Sequence, residues 1–303
     1  MIPHVTLAPG GPTVSRIVYG TWRLLAEPAL ATPQAIAARL ALCAEVGMTT
    51  LDTAEVYGGY TVEERLGEAL KLVPQLKSRF QIVTKFGIYV PNERHPERKT
   101  AFYNASAERI EKSVDKSLRL LGVESLELVL VHRPDWFTAA EDTARGLEKV
   151  VAAGKVKHVG VSNYTTSQFD LLQSRLALPL VTHQIEFNPF RMDALYDGTL
   201  DQCQQRGIRP MAWSPLGGGR LFTDESAALR VREVCAALSE TYAGASVSAL
   251  VHAWVMSHPA GAVPVIGTNK AERIRDLAGA AALKLDRRDW YAVWQAAEGR
   301  RIP

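Results

Sequence analysis

Eight short runs rich in β-branched and apolar residues alternate along the chain with longer segments of helical periodicity. Each connection is too long for a hairpin, so consecutive strands are expected to run parallel. Eight is also the number of strands that closes a (β/α)8 barrel, whereas an open doubly wound sheet should show a G-x-G-x-x-G turn, which is absent. The predicted fold is therefore α/β, a single TIM barrel, with strands in IVYG from Ile17, TTLDT from Thr49, FQIVTK from Phe80, LELVLVH from Leu126, VKHVGVS from Val156, PLVTHQIE from Pro179, IRPMAW from Ile208 and AVPVIG from Ala262.

Two additions flank these eight units. The N-terminal stretch HVTLAPGGPTVSRI has the pattern of a β-hairpin, and the region around Trp290 and Trp294 that of an extra C-terminal helix. No linker or change of composition divides the chain, so residues 1–303 are expected to form one domain. Capping signals predict helix boundaries at Thr32 with Pro33, at Gly122, and in capping boxes at Thr61 with Glu64, Thr138 with Glu141 and Thr165 with Gln168.

Composition excludes several classes of protein. Of the 303 residues 47% are apolar and 22% charged, as in globular proteins, and a formal charge of +3 is too small to indicate a nucleic acid or membrane partner. The three cysteines form no CxxC pair, so neither a disulfide framework nor a zinc site is indicated. The N-terminus lacks the pattern of a secretory signal, and no apolar run has the length of about 18 residues that a membrane span needs. We expect a cytoplasmic protein.

Four polar residues fall at or just after strand ends, where chemistry gathers in such a barrel. Asp52 ends the second strand and Tyr57 follows in its loop, Lys85 ends the third strand, and His132 ends the fourth. Each also has an ordinary structural explanation, as a turn former, a gap filler, a lysine reaching water or a core histidine. Because adjacent strands lie only about 4.8 Å apart, we nevertheless expect the four groups to converge.

Together these four groups suit the protonation of an oxygen that gains negative charge. The reference pKa of tyrosine is about 10, and the Lys85 ammonium is expected to lower it for Tyr57, while Asp52 keeps the lysine charged and fixed. His132 is expected to hydrogen-bond a carbonyl oxygen placed against the phenol. Reduction of a carbonyl by hydride fits this set, and because no side chain supplies a hydride, a cofactor is required.

In LDTAEVYG, IVTKFG and LVHRP the chain resembles the aldo-keto reductases, and the resemblance covers nearly its whole length. It implies a catalytic tetrad of Asp52, Tyr57, Lys85 and His132, in which the tyrosine is the general acid, the lysine and aspartate tune it, and the histidine orients the carbonyl. It also implies an NADPH-dependent enzyme that reduces an aldehyde or ketone to an alcohol, with the hydride from nicotinamide and the proton from Tyr57.

The later strand ends carry the expected NADP(H) site. Polar groups after strands five and six are expected to bind the nicotinamide carboxamide, as the resemblance implies, and Trp213 offers a face for stacking where relatives often carry tyrosine. The glycine-rich loop after strand seven suits a pyrophosphate, and the helix start after strand eight suits a phosphate. The resemblance implies that this is the 2′-phosphate, which needs cationic partners and so favours NADP over NAD. As ordinary structure, Asn163 is a turn former, Gln184 a core amide and the last segment a capped basic helix. The predicted cofactor residues are Thr21, Ser162, Asn163, Gln184, Trp213, Ser214, Pro215, Leu216, Gly217, Gly219, Arg220, Gly267, Thr268, Asn269, Lys270 and Arg273.

The substrate is less well defined than the cofactor. Trp22 is expected to wall the pocket, as the resemblance suggests, Arg133 replaces an aromatic residue of many relatives, and the charged loop 87–104 is a candidate rim. The expected partner is a small carbonyl compound, and the sequence identifies neither that compound nor an oligomeric state. Two other classes stay open. One is an NADP-binding regulatory subunit of the same fold, like the potassium-channel β subunits. The other is a barrel hydrolase with a metal at Asp52 and His132, for which further ligands at suitable spacing are missing.

Overall fold

Eight parallel strands close into a barrel in the computed structural model of the chain, which describes residues 1–93, 95–97 and 99–302. The predicted rim loop includes Arg94 and Arg98, which lie outside the described residues together with Pro303. In chain order the described strands are β1 (His4–Thr6), β2 (Thr13–Ser15), β3 (Val18–Gly20), β4 (Thr50–Asp52), β5 (Gln81–Phe86), β6 (Ile88–Tyr89), β7 (Phe102–Tyr103), β8 (Leu126–Val131), β9 (Val156–Ser162), β10 (Leu180–Glu186), β11 (Met211–Trp213) and β12 (Val263–Ile266).

The barrel follows the chain around the ring. Its order is β3-β4-β5-β8-β9-β10-β11-β12, and β12 pairs with β3 to close it. Every pairing within the ring is parallel. Seven of the eight predicted strand segments contain one of these strands, and β5 extends one residue beyond the eighth, so the predicted TIM barrel is confirmed. The carboxyl ends of all eight strands therefore meet at one face, where side chains from distant parts of the sequence come together.

Helices connect the barrel strands and cover the outside of the ring. Two of them, Ser226–Leu238 and Val247–Ser257, lie between β11 and β12, where the sequence indicated a single strand–helix unit. The described helices are α1 (Pro33–Val46), α2 (Tyr57–Tyr60), α3 (Val62–Leu72), α4 (Pro74–Lys77), α5 (Ala107–Leu121), α6 (Ala140–Ala152), α7 (Thr166–Gln173), α8 (Thr199–Gln205), α9 (Ser226–Leu238), α10 (Val247–Ser257), α11 (Ala271–Ala280) and α12 (Arg287–Glu298).

Three of the predicted helix boundaries are confirmed by their capping contacts. The Thr32 hydroxyl accepts from the backbone N–H of Ala35 at 3.2 Å, with Pro33 at the first helical position. Thr165 and Gln168 form a reciprocal capping box at the start of α7. Gly122 ends α5 with φ of 65°, in the left-handed region that glycine adopts without steric cost.

The other two predicted capping boxes are wrong, because both threonine hydroxyls find different partners. Thr61 donates to the carbonyl of Gly58 at 2.7 Å and makes no side-chain cap for α3. Thr138 donates to the carboxylate of Asp135 at 2.5 Å, and α6 begins only at Ala140. A hydroxyl that bonds to a nearby carbonyl or carboxylate is no longer available to cap the helix. Sequence spacing alone does not show which of these partners it takes.

The predicted N-terminal hairpin is confirmed as β1 and β2, and it closes the amino-terminal end of the barrel. The strands pair antiparallel, with Val5 opposite Val14. The carbonyl of Leu7 accepts from the backbone N–H of Arg209, just before β11, at 2.7 Å. The guanidinium of Arg16 donates to the carbonyl of Ala262, just before β12, at 2.6 Å. With this end covered, the opposite end remains open for chemistry.

The predicted C-terminal helix is confirmed as α12, which is joined to α10 by a pair of tryptophans. The rings of Trp254 and Trp290 stack with centroids 4.9 Å apart and planes 5° from parallel. Each indole N–H donates to the backbone carbonyl of the other residue at 2.9 Å. The buried indole of Trp254 and the half-buried indole of Trp290 therefore both have their N–H groups paired, which is the condition under which tryptophan is a favourable core residue.

We expect Gly67→Ala to destabilise the barrel by about 1–3 kcal/mol, the usual cost of overpacking a filled core. Gly67 lies where α3 crosses α5, and a Cβ there would overlap the backbone carbonyl oxygen of Leu120, which has little freedom to move. Gly279→Ala is the matched control. It is helical and exposed with open space around its Cβ position, and it should gain up to about 1 kcal/mol from helix propensity. Denaturant unfolding of both variants measures the difference, and equal midpoints would contradict the close crossing.

Candidate active site

The ammonium group of Lys85 lies at the floor of the open end of the barrel. Lys85 sits on β5 with 1% of its surface exposed. Its Nζ donates to Asp52 Oδ1 at 2.6 Å, to the Thr53 carbonyl at 2.9 Å and to the Tyr57 hydroxyl at 3.1 Å. All three donor positions of the ammonium are thus used, and the charge is compensated by the buried carboxylate. Three of the four predicted catalytic residues therefore form one hydrogen-bonded cluster.

The loop after β4 is held so that the phenol of Tyr57 points back at Lys85. The Thr21 N–H and hydroxyl both bond to the carbonyl of Asp52, at 2.8 and 3.0 Å. The Glu55 N–H donates to the Lys85 carbonyl at 3.0 Å. Gly58 then adopts φ of 56°, a left-handed conformation that few other residues tolerate, and turns the chain away directly after Tyr57. The glycine that follows the tyrosine is therefore required by this turn.

The acidity of Tyr57 is set by two opposing effects. Burial raises its pKa, and the neighbouring Lys85 charge opposes that rise without cancelling it, so the pKa of Tyr57 stays above its ordinary value. For Lys85 burial acts to lower the pKa, but Asp52 and Tyr57 outweigh it and the pKa is raised. Lys85 therefore acts to lower the pKa of Tyr57, as expected, but the net change in that pKa is a rise. At neutral pH the cluster holds a protonated phenol beside a charged ammonium.

His132 presents a neutral imidazole to the same space. Its backbone N–H donates to the Phe86 carbonyl at 3.0 Å, which places it at the end of β8, beside β5. Its ring meets the Tyr57 ring edge to face, with centroids 5.9 Å apart. Burial holds the pKa of His132 well below its usual range, and the charges of Lys85 and Arg133 act in the same direction. A neutral imidazole has one N–H to donate, so it can bind a carbonyl oxygen.

These groups open into a cavity of about 690 Å³ at the carboxyl ends of the strands. Trp22, which is 64% exposed, covers one side of it, with its ring edge to face against Tyr57 and centroids 5.1 Å apart. None of the described residues of the loop 87–104 lines the cavity. The predicted site residues that line it are Trp22, Asp52, Tyr57, His132, Ser162, Asn163, Gln184, Trp213, Ser214, Pro215, Leu216, Gly219, Gly267, Thr268 and Arg273.

Asn163 and Gln184, predicted to bind the carboxamide of a cofactor, also brace the cavity wall. The Asn163 side chain donates to the His132 carbonyl at 3.2 Å and accepts from the indole N–H of Trp213 at 3.1 Å. The Gln184 amide donates to Asp52 Oδ2 at 2.7 Å, so the second carboxylate oxygen is also bonded. Asn163 has φ of 59°, a left-handed conformation that asparagine tolerates better than most residues. Both amides therefore fix the strand ends relative to one another.

The loop after β11 curls around the middle of the cavity. Ser214, Gly217, Gly218 and Gly219 all have positive φ, between 50° and 107°. Within the loop the Gly217 N–H donates to the Ser214 carbonyl at 2.8 Å and the Gly219 N–H to the Leu216 carbonyl at 3.2 Å, so tight turns fix its shape. A Cβ at Gly218 or Gly219 would meet nothing within 4 Å, so the glycines leave this side of the cavity open.

The far end of the cavity is formed by β12 and α11. Arg273 lines it and lies over the ring of Phe222, 5.9 Å from the centroid. Asn269 was predicted to bind the cofactor, but its amide accepts from the Tyr19 hydroxyl at 3.0 Å and donates to the Arg23 carbonyl at 2.7 Å. The predicted residues that do not line the cavity are Thr21, Lys85, Gly217, Arg220, Asn269 and Lys270.

Arg220 departs furthest from its predicted role as a phosphate partner. Its Nε donates to Glu225 at 2.7 Å, and its guanidinium lies over the ring of Phe190, 5.1 Å from the centroid. It lines a separate groove of about 360 Å³ with residues of α12. The side chain is therefore held on the outer side of the loop by a carboxylate and an aromatic ring.

Several cavity residues were missed because they do not stand at strand ends. Arg23 donates to the carbonyl of Gly218 at 2.7 Å and so links the first and seventh loops across the cavity mouth. The hydroxyl of Ser246, which caps α10, donates to Asp276 on α11 at 2.6 Å. The buried carbonyl of Thr53, a lysine partner, leaves no mark in a sequence at all. The lining residues of α10 and α11 that were missed are Val247, Ser248, His252, Asp276 and Leu277.

Comparison with known proteins agrees with this architecture. The model of the Aldo/keto reductase family matches residues 16–298. The chain belongs to the aldo/keto reductase family. Oxidoreductase YdhF of Escherichia coli strain K12 is 41% identical over 303 residues, covering 100% of both chains. The 6-dehydroglucose reductase of Agrobacterium fabrum is 42% identical over 291 residues, covering 95% of this chain and 96% of that protein. These relationships support an oxidoreductase that acts on small carbonyl compounds.

A solved structure shows the same fold at lower sequence identity. The aldo/keto reductase from Klebsiella pneumoniae, in complex with NADP and acetate, matches with a TM-score of 0.75 at 24% identity, over 95% of this chain and 94% of that one. In the described part of the chain, none of the helices combines the length and apolar character that crossing a membrane demands. The same residues hold no group of three or more His, Cys, Asp or Glu side chains arranged to bind a metal ion.

We expect Lys85→Met to destabilise this aldo/keto reductase by about 3–5 kcal/mol, because it leaves the Asp52 carboxylate buried without a cation. The double variant Asp52→Asn with Lys85→Met should recover most of that loss, since no charge is then left unpaired. Lys157→Met, which removes an exposed lysine paired with Glu127, should cost no more than about 1 kcal/mol. Denaturant unfolding of the four proteins tests this, and a Lys85→Met cost below the Lys157→Met cost would refute the pairing.

Proposed function

We propose that the chain reduces an aldehyde to an alcohol with NADPH, and that Tyr57 supplies the proton. The observation that carries the proposal is the Lys85 ammonium, held between the Asp52 carboxylate and the Tyr57 hydroxyl at the floor of a cavity. A buried ion pair that contacts a phenol beneath a cavity supports a site of proton transfer.

The side chains divide the work of proton transfer among them. The neutral imidazole of His132 donates to the carbonyl oxygen of the substrate and holds it against the Tyr57 hydroxyl. As that oxygen gains negative charge, Tyr57 passes its proton to it, and the charged Lys85 stabilises the phenolate that forms. Asp52 keeps the ammonium in place through this change, and its second oxygen is held by Gln184. Trp22 covers the phenol from the solvent side.

The cavity residues fit a nicotinamide dinucleotide. Trp213 offers its ring as a flat wall of the cavity, the space beside Gly218 and Gly219 leaves room for a pyrophosphate, and Arg273 supplies a cation at the far end. When bound there, the cofactor supplies the hydride. Arg273 suits the 2′-phosphate of NADP, and the NADP complex of the Klebsiella pneumoniae neighbour supports that choice.

The name of one relative supports an oxidised sugar as the substrate. The 42% identical protein is named 6-dehydroglucose reductase. The mouth of the cavity combines the flat faces of Trp22 and Trp213 with the polar groups of His132 and Arg133. Such a mixture of apolar faces and hydrogen-bond donors suits a compound with both C–H surfaces and hydroxyls.

We expect Tyr57→Phe to lower kcat for aldehyde reduction by about 10²–10⁴-fold, the usual contribution of a general acid, while NADPH affinity stays unchanged. Tyr60→Phe is the matched control, since its hydroxyl bonds to backbone groups of Ile88 and Val90 away from the cavity. The wild-type rate should hold through neutral pH and fall only as pH rises into the alkaline range, because burial raises the pKa of Tyr57 and keeps the donor protonated. NADPH oxidation followed at 340 nm measures both, and a Tyr57→Phe variant with a tenth of the wild-type kcat would remove Tyr57 from this role.

We expect Arg273→Ala to weaken NADPH binding by about 1.5–3 kcal/mol and to leave NADH binding nearly unchanged, because only NADPH carries the 2′-phosphate. Arg275→Ala removes an equal charge from the same helix at an exposed position outside the cavity, and it should change neither affinity. Fluorescence titration with each cofactor measures the two constants. Equal losses of affinity for NADPH and NADH would show that Arg273 stabilises the site without binding the 2′-phosphate.

A further inference from the structure

Two arginines that line the cavity make no hydrogen bond or ion pair with any described residue. Arg23, the third arginine of the lining, donates to the Gly218 carbonyl. Arg273 lies at the far end, where we propose that it binds the 2′-phosphate of NADPH. Arg133 lies at the other end, half-buried and directly after His132. A guanidinium presents five N–H donors, so Arg133 brings unused donors to the place where the carbonyl would react.

The Arg133 charge is close to the reacting groups. It acts on the pKa of Tyr57 and of His132, after the larger effects of burial and of Lys85. It also acts on the carboxylate of Glu186. Burial raises the pKa of Glu186, and the charges of Arg191 and Arg133 oppose that rise. Glu186 ends β10 and is paired in register with Trp213, a residue of the cavity wall. The arginine therefore acts electrostatically both on the phenol and on a carboxylate outside the lining.

We infer that Arg133 determines substrate specificity by donating to the hydroxyl oxygens of a polyhydroxylated aldehyde, an inference that rests on the proposed reduction. The Glu186 carboxylate offsets the positive charge, so a substrate carboxylate would be attracted by one group and repelled by the other. A neutral hydroxylated chain meets no such repulsion and accepts the free N–H groups. An apolar aldehyde of equal length would leave those groups without a partner other than water.

Two aldehydes of three carbons test the inference, with NADPH as the reductant. D-Glyceraldehyde carries two hydroxyls and propanal carries none. For Arg133→Leu we expect kcat/KM for glyceraldehyde to fall about 10- to 100-fold, as for the loss of hydrogen bonds from a charged donor, while kcat/KM for propanal is retained or rises. Arg133→Lys should recover part of the loss, because it restores a charged donor without the planar fork.

Arg191→Leu is the matched control. It removes a cation beside Glu186, where Arg191 pairs with Asp193 at 2.7 Å, and Arg191 does not line the cavity. Its ratio of the two kcat/KM values should equal that of the wild type. An equal fall for both aldehydes in Arg133→Leu would overturn the inference, since a structural role affects both. Unchanged kcat/KM values for both aldehydes in Arg133→Leu would overturn it as well.

A second pair of aldehydes, each with four carbons, separates hydroxyl recognition from charge recognition. Succinic semialdehyde carries a carboxylate, and butanal carries none. If Arg133→Leu loses activity on succinic semialdehyde more than on glyceraldehyde, the arginine selects an anion and the inference is wrong. A wild-type protein that turns over none of the four aldehydes with NADPH would instead overturn the proposed function itself.

Discussion

A buried ammonium governs the arrangement of this barrel's open end. Removed from water, the Lys85 charge requires a carboxylate and further oxygen acceptors within hydrogen-bond distance, or the group would lose its proton. Asp52, the Thr53 carbonyl and the Tyr57 hydroxyl meet that requirement. They come from β4 and its loop, next to the strand that carries the lysine. The parallel barrel is what makes these strand ends neighbours, so the fold and the ion pair depend on each other.

The same burial that isolates the ammonium also controls the phenol. Dehydration disfavours the phenolate more than Lys85 favours it, so Tyr57 remains an acid at neutral pH. The sequence led us to expect a lowered pKa, because the lysine partner could be identified from spacing but the extent of burial could not. For a proton donor the difference is favourable, since a protonated phenol is what reduction requires. The lysine then acts mainly on the product of proton transfer, when the phenolate has formed.

Sequence predicted what depends on strand ends and failed where tertiary contacts compete. The barrel, the hairpin, α12 and the convergence of the tetrad follow from periodicity and parallel topology. Arg220 is predicted to bind phosphate because it follows a glycine run, and its partners in the structure, Glu225 and Phe190, could not be identified without coordinates. Ser246 and Asp276 were missed for a related reason. They come from helices, and whether a helical residue reaches a cavity depends on how the helix packs.

The cavity is organised by charge as well as by shape. The two guanidinium groups without hydrogen bonds or ion pairs to described residues stand at opposite ends, Arg273 on α11 and Arg133 directly after His132, and the loop 214–219 lies between them. Lys85 and Arg133 both act, after burial, to lower the pKa of His132. The imidazole is therefore kept neutral chiefly by burial, and the two cations act in the same direction. Hence a residue placed to hold the substrate also helps to set the protonation state of the group that orients its carbonyl. Because burial has the largest of these effects on His132, we expect a substitution of Arg133 to change specificity while the imidazole stays neutral.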